Sequence, residues 1–214
     1  MNHIIFDIDG TLTQSTGFDS TCFKSAVLQH ADVSFKNDWS EYRNVTDTGI
    51  LNEIIATHDL AQIEAELTSK IKSTFINKIE SHLNDSPVDE IPGAKDFIDY
   101  LMSLEEVRVA IATGGWKETA ELKLRSAGFT YQDIPLYSSN DSHSRVEIMK
   151  LADQKIGTPV ANRVSYFGDA SWDKEACSVL GWNFILVGNR TNQYKRIESF
   201  EEFNRVLQFC GILK

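Results

Sequence analysis

Two aspartates one residue apart, Asp7 and Asp9, directly follow the apolar run His3–Phe6 and precede Gly10, Thr11 and Leu12. A calcium loop of the EF-hand type needs Gly at its sixth position and Glu at its twelfth. Here those positions hold Leu12 and Phe18, and the motif follows a strand rather than a helix, so that reading fails. Taken alone, the pair would also suit two surface carboxylates in a glycine turn. Two further segments raise its significance. Val107–Ile111 leads into Thr113, Gly114 and Gly115, a hydroxyl and flexible amides at a helix start, suited to an anion. Val164–Phe167 leads into Gly168 and Asp169, with Asp173 four residues later. Carboxylates gathered beyond strand ends need a cation. An all-oxygen ligand set beside a phosphate site favours Mg²⁺.

The elements that must bring these residues together follow from periodicity. From residue 93 onward helix and strand alternate. Phe97, Ile98, Leu101 and Leu104 mark a helix opened by Pro92-Gly93, and Val107–Ile111 marks a strand. Trp116, Ala120, Leu124 and Ala127 repeat at helical spacing until Gly128. Leu136-Tyr137 is a weak strand, and a helix around Ile148, Leu151, Ala152 and Ile156 stops at Gly157 and Pro159. Val164–Phe167 is a strand, Ala176, Val179 and Leu180 lie on a helix, Phe184–Val187 is a strand, and a last helix runs from about Phe200 to Phe209. The alternation predicts right-handed βαβ units and an α/β, Rossmann-like three-layer core with a parallel sheet. If the strand order is 3-2-1-4-5, strands one and four meet where the order reverses. Asp7, Asp9 and Asp169 then share one crevice, with Thr113 on its flank.

Residues 14–87 break the pattern. They show helical periodicity in three stretches, around Phe23–Val27, Ile50–Ile55 and Ile63–Ile79, with no comparable strand. We expect a small all-α domain over 14–87, inserted after the first strand, with 1–13 and 88–214 forming the core. Within it, Tyr42–Gly49 is a polar segment before an apolar helix. Thr46 or Asp47 suits an N-cap, and Arg43, Thr46 and Asp47 are also candidates for facing a substrate.

Asp7-Ile8-Asp9-Gly10-Thr11, Thr113 after its strand, and Gly168-Asp169 with Asp173 resemble the first, second and fourth signature motifs of the haloacid dehalogenase-like (HAD) superfamily. The helical insertion resembles that superfamily's mobile cap. The likeness covers nearly the whole chain in the right order. It implies a phosphatase in which Asp7 takes the phosphoryl group and Asp9 serves as general acid and then base. It further implies Mg²⁺ held by the Asp7 side chain, the Asp9 backbone carbonyl and Asp169, with Asp173 a ligand or a support. Thr113, the amides after it including Gly114, and the Gly10 amide would hold phosphate oxygens. The third motif is ordinarily a lysine. No lysine-proline signature stands there, and Arg145 has the expected place, with Lys150 one turn further along. Lys117 and Lys123 read as surface residues. A phosphomutase shares every motif and is the alternative. A dehalogenase has no need of the acid Asp9, and a phosphonatase would need a Schiff-base lysine such as Lys24 or Lys36. A non-catalytic binding module would be expected to have lost one of the aspartates.

Composition sets the remaining bounds. The chain has 214 residues, 42% of them hydrophobic, with 21 basic and 31 acidic side chains and a net charge of −10. That balance argues against nucleic acid or an anionic membrane as partner but permits a small phosphorylated metabolite beside a bound cation. Cys22, Cys177 and Cys210 lack metal or redox spacing and read as reduced. The first motif begins within a few residues of Met1, so the expectation is a cytoplasmic monomer or homodimer.

Overall fold

Strand β1 (Asn2–Phe6) is buried along its whole length, with Ile4 and Phe6 facing one side of a sheet and Ile5 the other. A consecutive apolar run, Ile4-Ile5-Phe6, covered on both faces, is what a central parallel strand requires. The computed structural model describes residues 1–158 and 163–213, so Pro159, named above as a helix stop, lies outside them. The strands that follow are β2 (Val107–Ala112), β3 (Leu136–Tyr137), β4 (Val164–Gly168), β5 (Asn183–Val187) and β6 (Arg196–Ile197). All pair in parallel, in the order β3-β2-β1-β4-β5-β6. The expected order holds, and the two-residue β6 extends the sheet at one edge.

Helices cover both faces. On one side α4 (Ala94–Met102) and α8 (Phe203–Phe209) bring Phe97 and Phe203 against an aromatic cluster with Phe6, Phe167 and Phe200. On the other, α6 (Arg145–Lys155) and α7 (Ser171–Leu180) bury Ile148, Met149, Ala176 and Cys177 against Ile5, Ala110 and Tyr166. Between β2 and β3 runs α5 (Lys117–Ser126). The architecture is three-layered α/β, as the alternation predicts.

The stretch between β1 and α4 holds three helices, α1 (Thr16–His30), α2 (Asp47–Thr57) and α3 (Glu64–Asp85). Phe23 of α1 meets Phe75 of α3 edge-on, and both meet Trp116 just ahead of α5, so the insertion shares an apolar cluster with the core. The outgoing and returning chains run side by side: Thr13 bridges Glu90, Gln14 N–H donates to Asp89 O, and Ile91 N–H donates to Leu12 O. Among the described residues no helix is long and apolar enough to cross a membrane.

Candidate active site

Asp7 is the first residue past β1 and Asp169 the first past β4. The pairing of these strands sets the two carboxylates side by side at the carboxyl edge, where strand order reverses. Asp7 N–H donates to Phe167 O at 2.9 Å, which fixes the strand end. The chain then turns tightly, Ile8 O accepting from the amides of Thr11, Leu12 and Thr13. Gly10 makes this turn possible with φ of +74°, and a Cβ there would run into Asp169 Oδ2.

Asp7, Asp169 and Asp173 offer oxygens that all lie within 4.8 Å of one another, and all three side chains are buried. Burial lifts the Asp7 carboxyl to about 6, with Asp9 and Asp169 pushing the same way and Arg145 opposing. Burial, then the neighbouring Asp173, lifts Asp169 to about 6. Asp173 is lifted to about 7, again chiefly by burial, which Arg145 counters. Asp7 Oδ1 is buried without any hydrogen-bond partner. A lone buried carboxylate oxygen facing other carboxylates is the donor set a hard divalent cation satisfies. The residues therefore fit Mg²⁺.

Arg145 begins α6 and reaches back into this cluster, with Nη1 2.7 Å from Asp173 Oδ1 and 3.6 Å from Asp7 Oδ2. Tyr166, buried on β4, donates to Ala112 O at 2.9 Å and stands 3.4 Å from Arg145, backing the guanidinium. Gly114 leaves room for it, since a Cβ at that position would collide with Arg145 Nη2. Lys150 instead pairs with Glu147 at the surface. Asp173 Oδ2 also accepts from Ala170 N–H, so both its oxygens are engaged. Arg190 Nη1 lies 2.6 Å from Asp169 Oδ2.

Asp9 is held differently. Lys123 Nζ donates to both of its oxygens at 2.7 Å and to Asp19 Oδ1 of α1 at 2.8 Å, and Ser15 donates to Oδ1 as well. Burial alone would depress the Lys123 ammonium, but Asp19 and Asp9 outweigh it and hold the charge firmly. The expectation of a surface Lys123 is thus overturned: its side chain is fully buried, because two carboxylates from elsewhere in the chain meet it there. Lys117, by contrast, is half exposed, as expected.

Facing these groups is a small cavity of about 110 Å³ lined by Asp7, Asp9, Thr113, Gly114, Gly115, Arg145, Asp169, Trp172 and Arg190 from the core. Thr113 is buried and accepts from Gly115 N–H. The insertion adds Thr16, Asp19, Ser20, Phe23, Trp39, Val45, Thr46, Asp47 and Ile50. Thr46 caps α2, accepting from Gly49 N–H, and Asp47 accepts from Trp116 N–H at 2.7 Å. Arg43 is exposed and lines a different groove with Ser144, Trp172 and Glu175. Of the three insertion residues named from the sequence, two therefore face the cavity and Arg43 does not. Among the described residues no lysine lines it: Lys24 lies over the Trp39 ring and Lys36 pairs with Glu53. Asp19, Lys123, Tyr166 and Arg190 were not foreseen. Asp19 sits in the first turn of α1 and reads locally as a helix-start carboxylate.

The haloacid dehalogenase-like hydrolase model matches residues 4–187, and the chain belongs to that family. No curated protein sequence matches it. Its fold is similar to that of a β-phosphoglucomutase from Clostridium difficile, with a TM-score of 0.76, 13% identity, and coverage of 99% of this chain and 97% of that one. It is also similar to CbbY from Rhodobacter sphaeroides in complex with phosphate, with a TM-score of 0.68, 18% identity, and coverage of 95% and 96%. A third similar structure is the HAD-hydrolase YfnB from Bacillus subtilis bound to magnesium, with a TM-score of 0.58, 16% identity, and coverage of 97% and 98%.

Proposed function

We propose that this hydrolase is a Mg²⁺-dependent phosphatase that cleaves phosphate monoesters of a small metabolite through a phospho-aspartate on Asp7, with residues 14–87 as its cap. The observation that carries this reading is the buried, partnerless oxygen of Asp7 beside Asp169 and Arg145, in a cavity also lined by Thr113. Asp7 and Asp169 would hold Mg²⁺, which supplies charge neutralisation between the carboxylate nucleophile and the phosphate. Asp9 would add its backbone carbonyl, since its side chain is committed to Lys123 and Ser15. Asp173, with both oxygens engaged, would chiefly hold Arg145 against the phosphate.

Asp7 attacks phosphorus, the bond from phosphorus to the alcohol oxygen breaks, and Asp9 gives that oxygen a proton. Water then attacks the acyl phosphate while Asp9 takes a proton back, releasing inorganic phosphate and restoring Asp7. Lys123 and Ser15 hold the Asp9 carboxyl at the cavity wall. Asp19 gives the Lys123 ammonium a second partner while Asp9 turns to the leaving group. Thr113, Gly114 and the Gly10 amide would bind phosphate oxygens with Arg145. A phosphatase is favoured over a mutase because the cap sends no cation into the cavity to hold the second phosphate of a bisphosphate.

The test is hydrolysis of nitrophenyl phosphate with Mg²⁺ and with chelator, alongside Asp7→Asn. Activity should vanish in chelator and in the variant, whose amide is nearly isosteric but not nucleophilic. Full activity in chelator, or turnover above about a percent in Asp7→Asn, would overturn the reading.

A further inference from the structure

The cap's contribution to the cavity is chemically one-sided. It brings two carboxylates, Asp19 and Asp47, hydroxyls, and the Phe23 and Trp39 rings, with no cation. The two arginines that do line the cavity come from the core, and both are engaged by carboxylates of the phosphate end, Arg145 by Asp173 and Arg190 by Asp169. Lys123 is shared between Asp9 and Asp19. Asp47 is left uncompensated. It is 9% exposed, its Oδ2 accepts from Trp116 N–H, and no hydrogen bond or ion pair engages its Oδ1 among the described residues. An unpaired carboxylate oxygen of a largely buried side chain that lines a ligand cavity is a place for a donor from the ligand.

Resting on the phosphatase reading, we infer that the alcohol released by this enzyme carries an amine, bound as an ammonium by Asp47 against the aromatic wall of the cap. A hydroxyl would satisfy one oxygen but leave the charge unpaired, whereas an ammonium satisfies both, beside the Phe23 and Trp39 rings that also line the cavity. A second anion on the leaving group would meet Asp47 and Asp19 at close quarters and be repelled. Burial first, then the Asp19 charge, raise the Asp47 carboxyl well above the usual range, with Lys123 offsetting them in part, so its ionised form is the one that a cation from the ligand would stabilise. The small cavity limits the amino alcohol to a short chain.

The experiment compares three esters of equal length, 2-aminoethyl, 2-hydroxyethyl and carboxymethyl phosphate, in wild type and Asp47→Asn with Mg²⁺ present. Nitrophenyl phosphate in the wild type reports on the chemistry alone. The amine ester should exceed the hydroxyl ester in kcat/KM by roughly 10–100-fold, the range for hydrogen bonds to charged groups, with the carboxylate ester last. Asp47→Asn keeps an acceptor for Trp116 N–H and should bring the amine and hydroxyl esters within about threefold of each other, on the scale of a neutral hydrogen bond. If nitrophenyl phosphate is hydrolysed but the amine ester is not preferred, or its preference survives in Asp47→Asn, the substrate class is overturned while the phosphatase reading stands. If nitrophenyl phosphate and all three esters are inert, the phosphatase reading fails and the substrate class with it.

Discussion

Asp9 receives three donor contacts, two from Lys123 and one from Ser15, while its partner in the motif, Asp7, keeps a bare oxygen. In the proposed mechanism that contrast separates the acid–base residue from the nucleophile, and each has its own test. Asp9→Asn removes the proton that an alkoxide leaving group needs and a nitrophenolate does not. In a pre-steady-state burst, the variant should lose roughly 10²–10⁴-fold with an alkyl phosphate and clearly less with nitrophenyl phosphate. Equal losses would leave Asp9 as a merely structural residue. Lys123→Met removes the common partner of two carboxylates at a fully buried position. Breaking a buried pair in this way costs about 3–5 kcal/mol, so a lowered urea midpoint is expected. A midpoint within error of wild type would show that the ammonium does not hold these groups together. The aspartates, Thr113 and Arg145 were legible because each directly follows a strand or opens a helix, where short-range pattern is decisive. Lys123 was not, because it flanks the apolar stripe of Ala120 and Leu124 and its burial is decided by Asp9, 114 residues away.

At the scale of elements, the N-terminus of α2 is tied to the core by a cluster of hydrogen bonds. Asp47 N–H donates to Gly114 O, Thr46 Oγ1 donates to His143 O, and Thr48 Oγ1 donates to Ser139 O while accepting from Trp116 Nε1. The phosphate-side loop after β2 and the candidate specificity segment thus share one hydrogen-bond network. Any movement of residues 14–87 away from the core would break it. Thr48→Val keeps the shape of the side chain but removes both hydroxyl bonds and leaves the Trp116 indole without its partner, at about 1 kcal/mol per lost bond. Hydrogen exchange should quicken several-fold at the amides of residues 46–50 and 115–118 and stay unchanged in β1 and β4. Unchanged exchange at both segments would mean that the other links, the apolar contacts of Phe23 and Phe75 with Trp116 and the Lys123–Asp19 pair, hold the insertion without it. The helices of the insertion were readable from their periodicity, four strands from their apolar runs, and the two-residue β3 as a weak strand after a helix. The edge strand β6 was not, since Arg196-Ile197 carries no alternation long enough to count. Nor was the docking of α2, which depends on turn residues 139 and 143 far away in sequence.

For the whole molecule, the site gathers unfavourable charge that the proposed Mg²⁺ would relieve. Asp7 and Asp169 at about 6 and Asp173 at about 7 all stand above the ordinary 3.8 of an unfolded chain. Between these limits the folded protein binds more protons than the unfolded one, so stability falls as pH rises through the window from about 4 to 7. Each pH unit separating folded and unfolded values is worth about 1.4 kcal/mol, and the three carboxylates act together because they repel one another. Chelator-treated protein should therefore melt several degrees higher near pH 5 than near pH 7.5, against the usual expectation for carboxylates tied up in ion pairs. Mg²⁺ bound as proposed would compete with these protons for the same oxygens. It should raise the melting temperature strongly at pH 7.5, where the carboxylates are ionised, and scarcely at pH 5, where they are protonated. Asp169→Asn removes one of the repelling charges, so without metal it should be more stable than wild type at pH 7.5 and should lose most of the Mg²⁺ response. A melting temperature that rises from pH 5 to 7.5 in chelator, or an equal Mg²⁺ effect at both, would show that the cluster is not held under charge in this way.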